Sequence, residues 1–160
     1  MKDNKKLEAK TCDFFPVVEE VVRAGGRVNI TVTGNSMYPM LRDRADSVLL
    51  AAPPERLKRF DLPLYRRDSG DYVLHRVLHV KNGAYTMCGD NQTALEEGIR
   101  REQIVAVAQS FCRSGKTISC SNPLYRISAA LWGICRPFRP RLLCICLWFR
   151  KKLSGRREKK

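Results

Sequence analysis

The tripeptide Lys81-Asn82-Gly83 most constrains what this chain can fold into. It separates two strand-like runs, YVLHRVLHV at 72–80 and AYTMC at 84–88. Asn-Gly suits the two positive-φ positions of a tight hairpin turn. DSGD at 68–71 and RSG at 113–115 read as further turns, between 62–67 and 72–80 and between 103–112 and 116–120. Two more apolar or alternating runs, VNITVT at 28–33 and SVLLAA at 47–52, complete the set. Short strands joined by short turns pair mostly antiparallel. A coiled or partly closed sheet suits them because closure removes exposed edges. The predicted fold is mainly β, with short helical segments at the two ends.

The flanks set the expected organisation as 1–27, 28–120 and 121–160. Within the first, 17–23 reads as a short helix, with Phe14, Val18, Val21 and Val22 on one face and Gly25-Gly26 ending it. The N-terminus carries Asp3 and Glu8, and no long apolar run follows, so neither a signal peptide nor an N-terminal anchor is expected.

Charge matters most in the last segment. Thirty Lys and Arg against sixteen Asp and Glu give the chain a net charge of +14. From Arg136 onward there are ten Lys or Arg and one Glu. Uncharged runs at 127–135 and 142–149 are too short to cross a bilayer, which takes about 20 residues. Trp132, Trp148 and Phe149 beside arginines are what a segment lying on an anionic membrane would carry. A helical pair packed back on the β domain, or a protein partner, would account for the same composition. Nucleic acid is the least favoured of the acidic partners.

The seven cysteines contain no C-x-x-C, and both histidines are far from Cys144-Ile145-Cys146. Neither a zinc site nor any cofactor is expected. The usage suits small thiols in a reducing compartment.

Three short stretches can carry chemistry. GNSMYPML at 34–41 puts Ser36 where a strand ends, either as a turn residue or as a nucleophile. His75 and His79 lie four apart in one predicted strand and would share a face. A histidine there is either a serine's base or a satisfied polar residue of a half-buried sheet. In CGDNQ at 88–92, Asp90 either orients an imidazole or makes an ordinary Asx turn.

Together and in this order, Ser36-Met37-Tyr38-Pro39-Met40-Leu41, His75-Arg76-Val77 and Gly89-Asp90-Asn91 resemble the signal peptidases and the related LexA-like serine peptidases, over about residues 28–110. The histidine-bearing type of signal peptidase is the nearer pattern. The resemblance implies Ser36 as nucleophile, His75 as general base and Asp90 as the carboxylate that steadies it. It also implies Met37 beneath the substrate groove and Pro39 fixing the chain after the nucleophile. His79 matches no catalytic position. Two positions depart from the pattern. Gly34 stands where many signal peptidases have a serine that helps hold the oxyanion, although mitochondrial and repressor-type relatives also have glycine there. Met40 stands where threonine is frequent.

The expected function is therefore a serine endopeptidase that removes a leader or signal-like segment from a peptide or precursor protein. It would sit peripherally on the cytoplasmic face of a membrane, or in the cytoplasm. Two other readings stand beside it. One is a self-cleaving regulatory domain of LexA-like type, with Ala24-Gly25 or Ala51-Ala52 as the scissile bond. The other is a non-catalytic basic module that binds membrane or nucleic acid.

Overall fold

The structure is a computed structural model and describes residues 14–139. The expected polar stretch 1–12 and the run 142–149 lie outside the described residues. The chain is mainly β, with antiparallel sheets, one of them a curled half-barrel, and two short helices.

Helix α1 covers 14–23, three residues longer at its start than the sequence suggests. Val18 and Val22, four apart, are buried, and Phe15 packs against the same core. Val21 and Phe14 point outward, so the buried face is Phe15, Val18 and Val22, not the predicted set. Gly25, at φ +82°, ends the helix, and Gly26 N–H returns to the Val21 carbonyl at 2.9 Å.

The larger sheet runs in the order β1 (Val28–Thr31), β2 (Ser47–Ala51), β8 (Ile104–Arg113), β3 (Pro63–Arg66), β4 (Tyr72–Leu74). Strand β9 (Lys116–Ser119) pairs with the C-terminal part of β8. The smaller sheet is β5 (Arg76–Lys81), β6 (Ala84–Cys88) and β7 (Glu96–Ile99). Asn82 and Gly83 both have positive φ, as do Ser114 and Gly115, so both predicted hairpins form with the expected turn chemistry.

The long strand β8 ties the two cores together. Its Ala106, Ala108 and Phe111 join Ile30, Val48, Leu50 and Leu64 in one cluster. Its Ile104 joins Tyr65, Val77, Tyr85 and Met87 in the other. The small alanines let neighbouring aliphatics approach β8 closely, as interior packing requires.

Helix α2 (Pro123–Ile134) follows β9. Asn122 caps it, with its side-chain oxygen accepting from Leu124 N–H at 2.9 Å, and Pro123 occupies the first turn where no N–H is needed. No helix among the described residues is long and apolar enough to cross a membrane.

Candidate active site

The chain changes sheets at His75. β4 ends at Leu74 and β5 begins at Arg76, so His75 stands between strands of different sheets. Its amide donates to the Pro63 carbonyl at 3.3 Å. The expectation that His75 and His79 share a face requires one unbroken strand. The break at 75 and a register shift between Val77 and His79 overturn it. The His75 side chain is buried and His79 is exposed.

Ser36 lies half-buried in the loop between β1 and β2. Several contacts fasten this loop. The Gly34 amide donates to Asp43 Oδ1 at 2.8 Å. Buried Asp46 accepts from the Arg42 amide at 2.9 Å and from its Nη2 at 2.6 Å. Arg113 Nη1 donates to the Pro39 carbonyl at 2.8 Å, and the Tyr38-Pro39 peptide is cis. Met37 is buried in the larger core, directly after Ser36. Gly34 has φ +85°, where an L side chain is strained. The missing hydroxyl at 34 thus goes with a backbone conformation that favours glycine.

The turn after β6 joins Ser36 to the His75 region. Asn91 N–H donates to the Ser36 carbonyl at 2.8 Å. A Cβ on Gly89 would lie 2.6 Å from the same oxygen, so only glycine lets the turn come this close. Between them, Asp90 is fully buried and takes both arms of Arg76, at 2.8 Å from Nε and 2.6 Å from Nη2. Arg76 immediately follows His75. The sequence GDN therefore works as a clip between the serine loop and the histidine joint.

That clip commits both carboxylate oxygens of Asp90 to Arg76. No hydrogen bond joins Asp90 to His75; the carboxylate at the ring is Glu96, whose Oε1 lies 3.1 Å from His75 Nδ1. Tyr65 Oη lies 3.2 Å from the same nitrogen. Arg67 holds Glu96 with two arms, including 2.8 Å from Nε to Oε2. Burial lowers the His75 pKa, the Arg67 charge adds to this, and the charges of Glu96 and Asp90 oppose it. The hydrogen bond from Arg67 holds the Glu96 carboxyl below its usual range. A neutral imidazole whose Nδ1 faces a carboxylate carries its proton there and leaves Nε2 free to accept another. No hydrogen bond joins Ser36 Oγ to His75. His75 is also not among the residues that line a groove with Ser36.

Ser36 and Met37 also line a groove of about 900 Å³. Its walls are the outer strand β1 with the residues just after it, Asn29 to Thr33, and the outer strand β4, Tyr72 to Leu74. These are the two ends of the larger sheet's order, and the curl of the sheet turns both toward one cleft. Phe14, Phe15 and Val17 of α1 line the same groove, with Phe15 stacked on Tyr72 at 4.9 Å.

Helix α2 grips the clip from the other side. Trp132 Nε1 donates to the Asp90 carbonyl at 2.8 Å. Arg76 Nη1 donates to Tyr125 Oη at 3.0 Å. Just past the helix, buried Arg139 donates from Nη1 to the carbonyls of Gly89 at 2.9 Å and Gln92 at 2.8 Å.

Of the residues singled out from the sequence, Ser36, Gly34, Met37 and Pro39 share one loop, and the clip ties it to Asp90 and to the residue after His75. Glu96, Tyr65 and Arg67 escaped notice, as did the inward role of Arg139; Trp132, expected to lie on a membrane, instead turns inward and donates to the Asp90 carbonyl. EEGI at 96–99 does not alternate and contains glycine, so nothing marked it as a strand that presents a carboxylate. Ala51, half of one bond considered for self-cleavage, is buried in β2 and paired with Val107. Ala24-Gly25 lies in the exposed turn after α1. No family model matches the chain, and no curated protein matches its sequence.

Proposed function

We propose that this chain is a serine endopeptidase of signal-peptidase-like type that cleaves a leader or signal-like segment from a peptide or precursor protein. The observation that carries the reading is the clip. Ser36 is bonded to a turn whose Asp90 holds Arg76, next to a buried histidine that faces Glu96. A serine needs an adjacent base to act as a nucleophile, and a neutral, oriented histidine is the usual one.

In this reading an extended substrate pairs with the free edges of β1 or β4 in the groove. Ser36 Oγ attacks the scissile carbonyl as His75 Nε2 takes its proton. The negative charge that develops on the carbonyl oxygen is met by backbone amides. Among the described residues no acceptor takes the Ser36 amide. Collapse breaks the C–N bond, and His75 returns the proton to the departing amine. Water, deprotonated by the same imidazole, then releases the acyl group and restores Ser36. Glu96, not Asp90, holds the imidazole in the required tautomer. The odd number of cysteines and the basic C-terminal stretch favour work at the cytoplasmic face of a membrane.

The test compares the purified chain with Ser36→Ala on signal-like and leader peptides, read by mass spectrometry. The wild type should cleave at a defined bond, and the variant should be slower by at least about 10³-fold. Equal cleavage by both would remove Ser36 as nucleophile.

A further inference from the structure

Helix α2 has two faces, and among the described residues only one has a partner. Inward, Tyr125 and Ala129 are buried, Arg126 pairs with Asp61 at 3.0 Å, and Trp132 holds Asp90. Outward, Leu124 is 77% exposed, Ile127 57%, Leu131 58% and Ile134 68%. At 3.6 residues per turn these four fall within roughly 80° of one another. Phe138, just beyond the helix, is 58% exposed as well. The helix's single charged residue is Arg126, on the other side. A face turned to water normally carries charge, whereas this one is wholly aliphatic.

We propose that this outward face is a docking surface for an anionic lipid bilayer. The charge of the sequence that follows it selects that occupant. From Ser121 to the end the sole acidic residue is Glu158, while Arg136 to Lys160 hold ten Lys or Arg. An apolar helical face followed in the sequence by a basic stretch fits the boundary between acyl chains and anionic headgroups. A second copy of the chain would bring one net charge of +14 against another, which repels. The 21 residues after Arg139 extend the same chemistry, with Leu142 to Phe149 uncharged, Trp148 among them, followed at once by Arg150-Lys151-Lys152. The proposal goes beyond the peptidase reading and stands without it.

The test uses the full chain and sedimentation with large vesicles of phosphatidylcholine, with and without phosphatidylglycerol. The wild type should pellet with the anionic vesicles, stay in solution with the neutral ones, and release at high salt. The variant Ile127→Ser, Leu131→Ser should bind at least about tenfold more weakly, because two aliphatic side chains no longer enter the acyl boundary. Its circular dichroism should match the wild type, since neither residue packs inward. The proposal is overturned if the wild type ignores anionic vesicles, or if the double variant binds as well as the wild type. A wild type that ignores vesicles but sediments as a dimer would give the face to a second copy. A wild type that ignores them as a monomer, with a double variant of lowered melting temperature, would give it to the chain's own C-terminal stretch.

Discussion

The amide of Asn91 donates to the carbonyl of Ser36 at 2.8 Å, and Gly89 packs so closely on that carbonyl that a methyl group would stand 2.6 Å from it. The serine's backbone is therefore positioned by a turn more than 50 residues later in the chain. Gly89→Ala should push the two apart. We expect a loss of about 1–3 kcal/mol, the usual range for overpacking, and at least tenfold lower kcat/KM for peptide cleavage. Thermal unfolding and peptide kinetics on one preparation check both. Unchanged kinetics would mean that the turn does not position Ser36.

Asp90 and Glu96 should fail in different ways. Asp90→Asn leaves Arg76 buried without its counter-ion, which costs about 3–5 kcal/mol. For a chain of this size the melting temperature should fall by roughly 10 °C. Glu96→Gln removes a partly exposed pair with Arg67, worth at most about 1 kcal/mol. It should leave the melting temperature nearly unchanged and lower kcat by about 10² or more through the imidazole. If Asp90→Asn loses activity without losing stability, and Glu96→Gln does neither, Asp90 is the orienting carboxylate after all.

The pH profile follows from the burial of His75. Its folded pKa lies below the ordinary value of about 6.5, so the base remains neutral into mildly acidic solution. The acid limb of kcat/KM should therefore fall below pH 6.5. The Glu96 charge works against the lowering, so Glu96→Gln should move that limb to still lower pH. The sign for stability is the same. Below about pH 6.5 the unfolded chain binds the proton more readily than the folded one. The contribution of His75 is then present above that pH and lost as pH falls toward the folded pKa. Denaturant titrations of wild type and His75→Gln across this range measure it.

The grip of α2 on the clip predicts effects at a distance. Arg139→Met removes the guanidinium donor from the carbonyls of Gly89 and Gln92, while the Gly89 carbonyl keeps the Gln92 N–H, so the loss should be about 1–3 kcal/mol in all. Trp132→Phe removes one donor from the Asp90 carbonyl, about 1 kcal/mol. Neither residue lines the groove. Both variants should therefore lower kcat with KM nearly unchanged, Arg139→Met more than Trp132→Phe. A change confined to KM would contradict the positioning role.

Gly34→Ala tests whether glycine stands there for its backbone. Nothing crowds a Cβ at this position, but φ is +85°. The cost should be about 1–2 kcal/mol of left-handed strain. Gly34→Ser should lose as much stability and gain no rate. A faster Gly34→Ser enzyme would show that the loop tolerates a side chain there and that the hydroxyl helps hold the oxyanion.

The sequence by itself determined the elements that depend on neighbours in the chain. Asn82-Gly83 and Ser114-Gly115 dictate tight hairpins because their positive φ values match the twist of paired strands. Alternation in β8 and the Asn122-Pro123 start of α2 are equally local. The resemblance that singled out Ser36, His75 and Asp90 together rests on three short motifs, each local in the same sense. Only the tertiary structure decided what each of them touches. A single pattern, 72–80, reads as one strand, yet the chain leaves one sheet for the other at His75 and turns that side chain inward. Asp90 faces Arg76 and Glu96 faces His75 because the two sheets meet at that joint. Carboxylates 90 and 96 look interchangeable in the sequence, since either follows β6 closely. Long-range pairing, which brings β7 beside β6 and packs α2 beneath the turn, separates a structural ion pair from the partner of the imidazole.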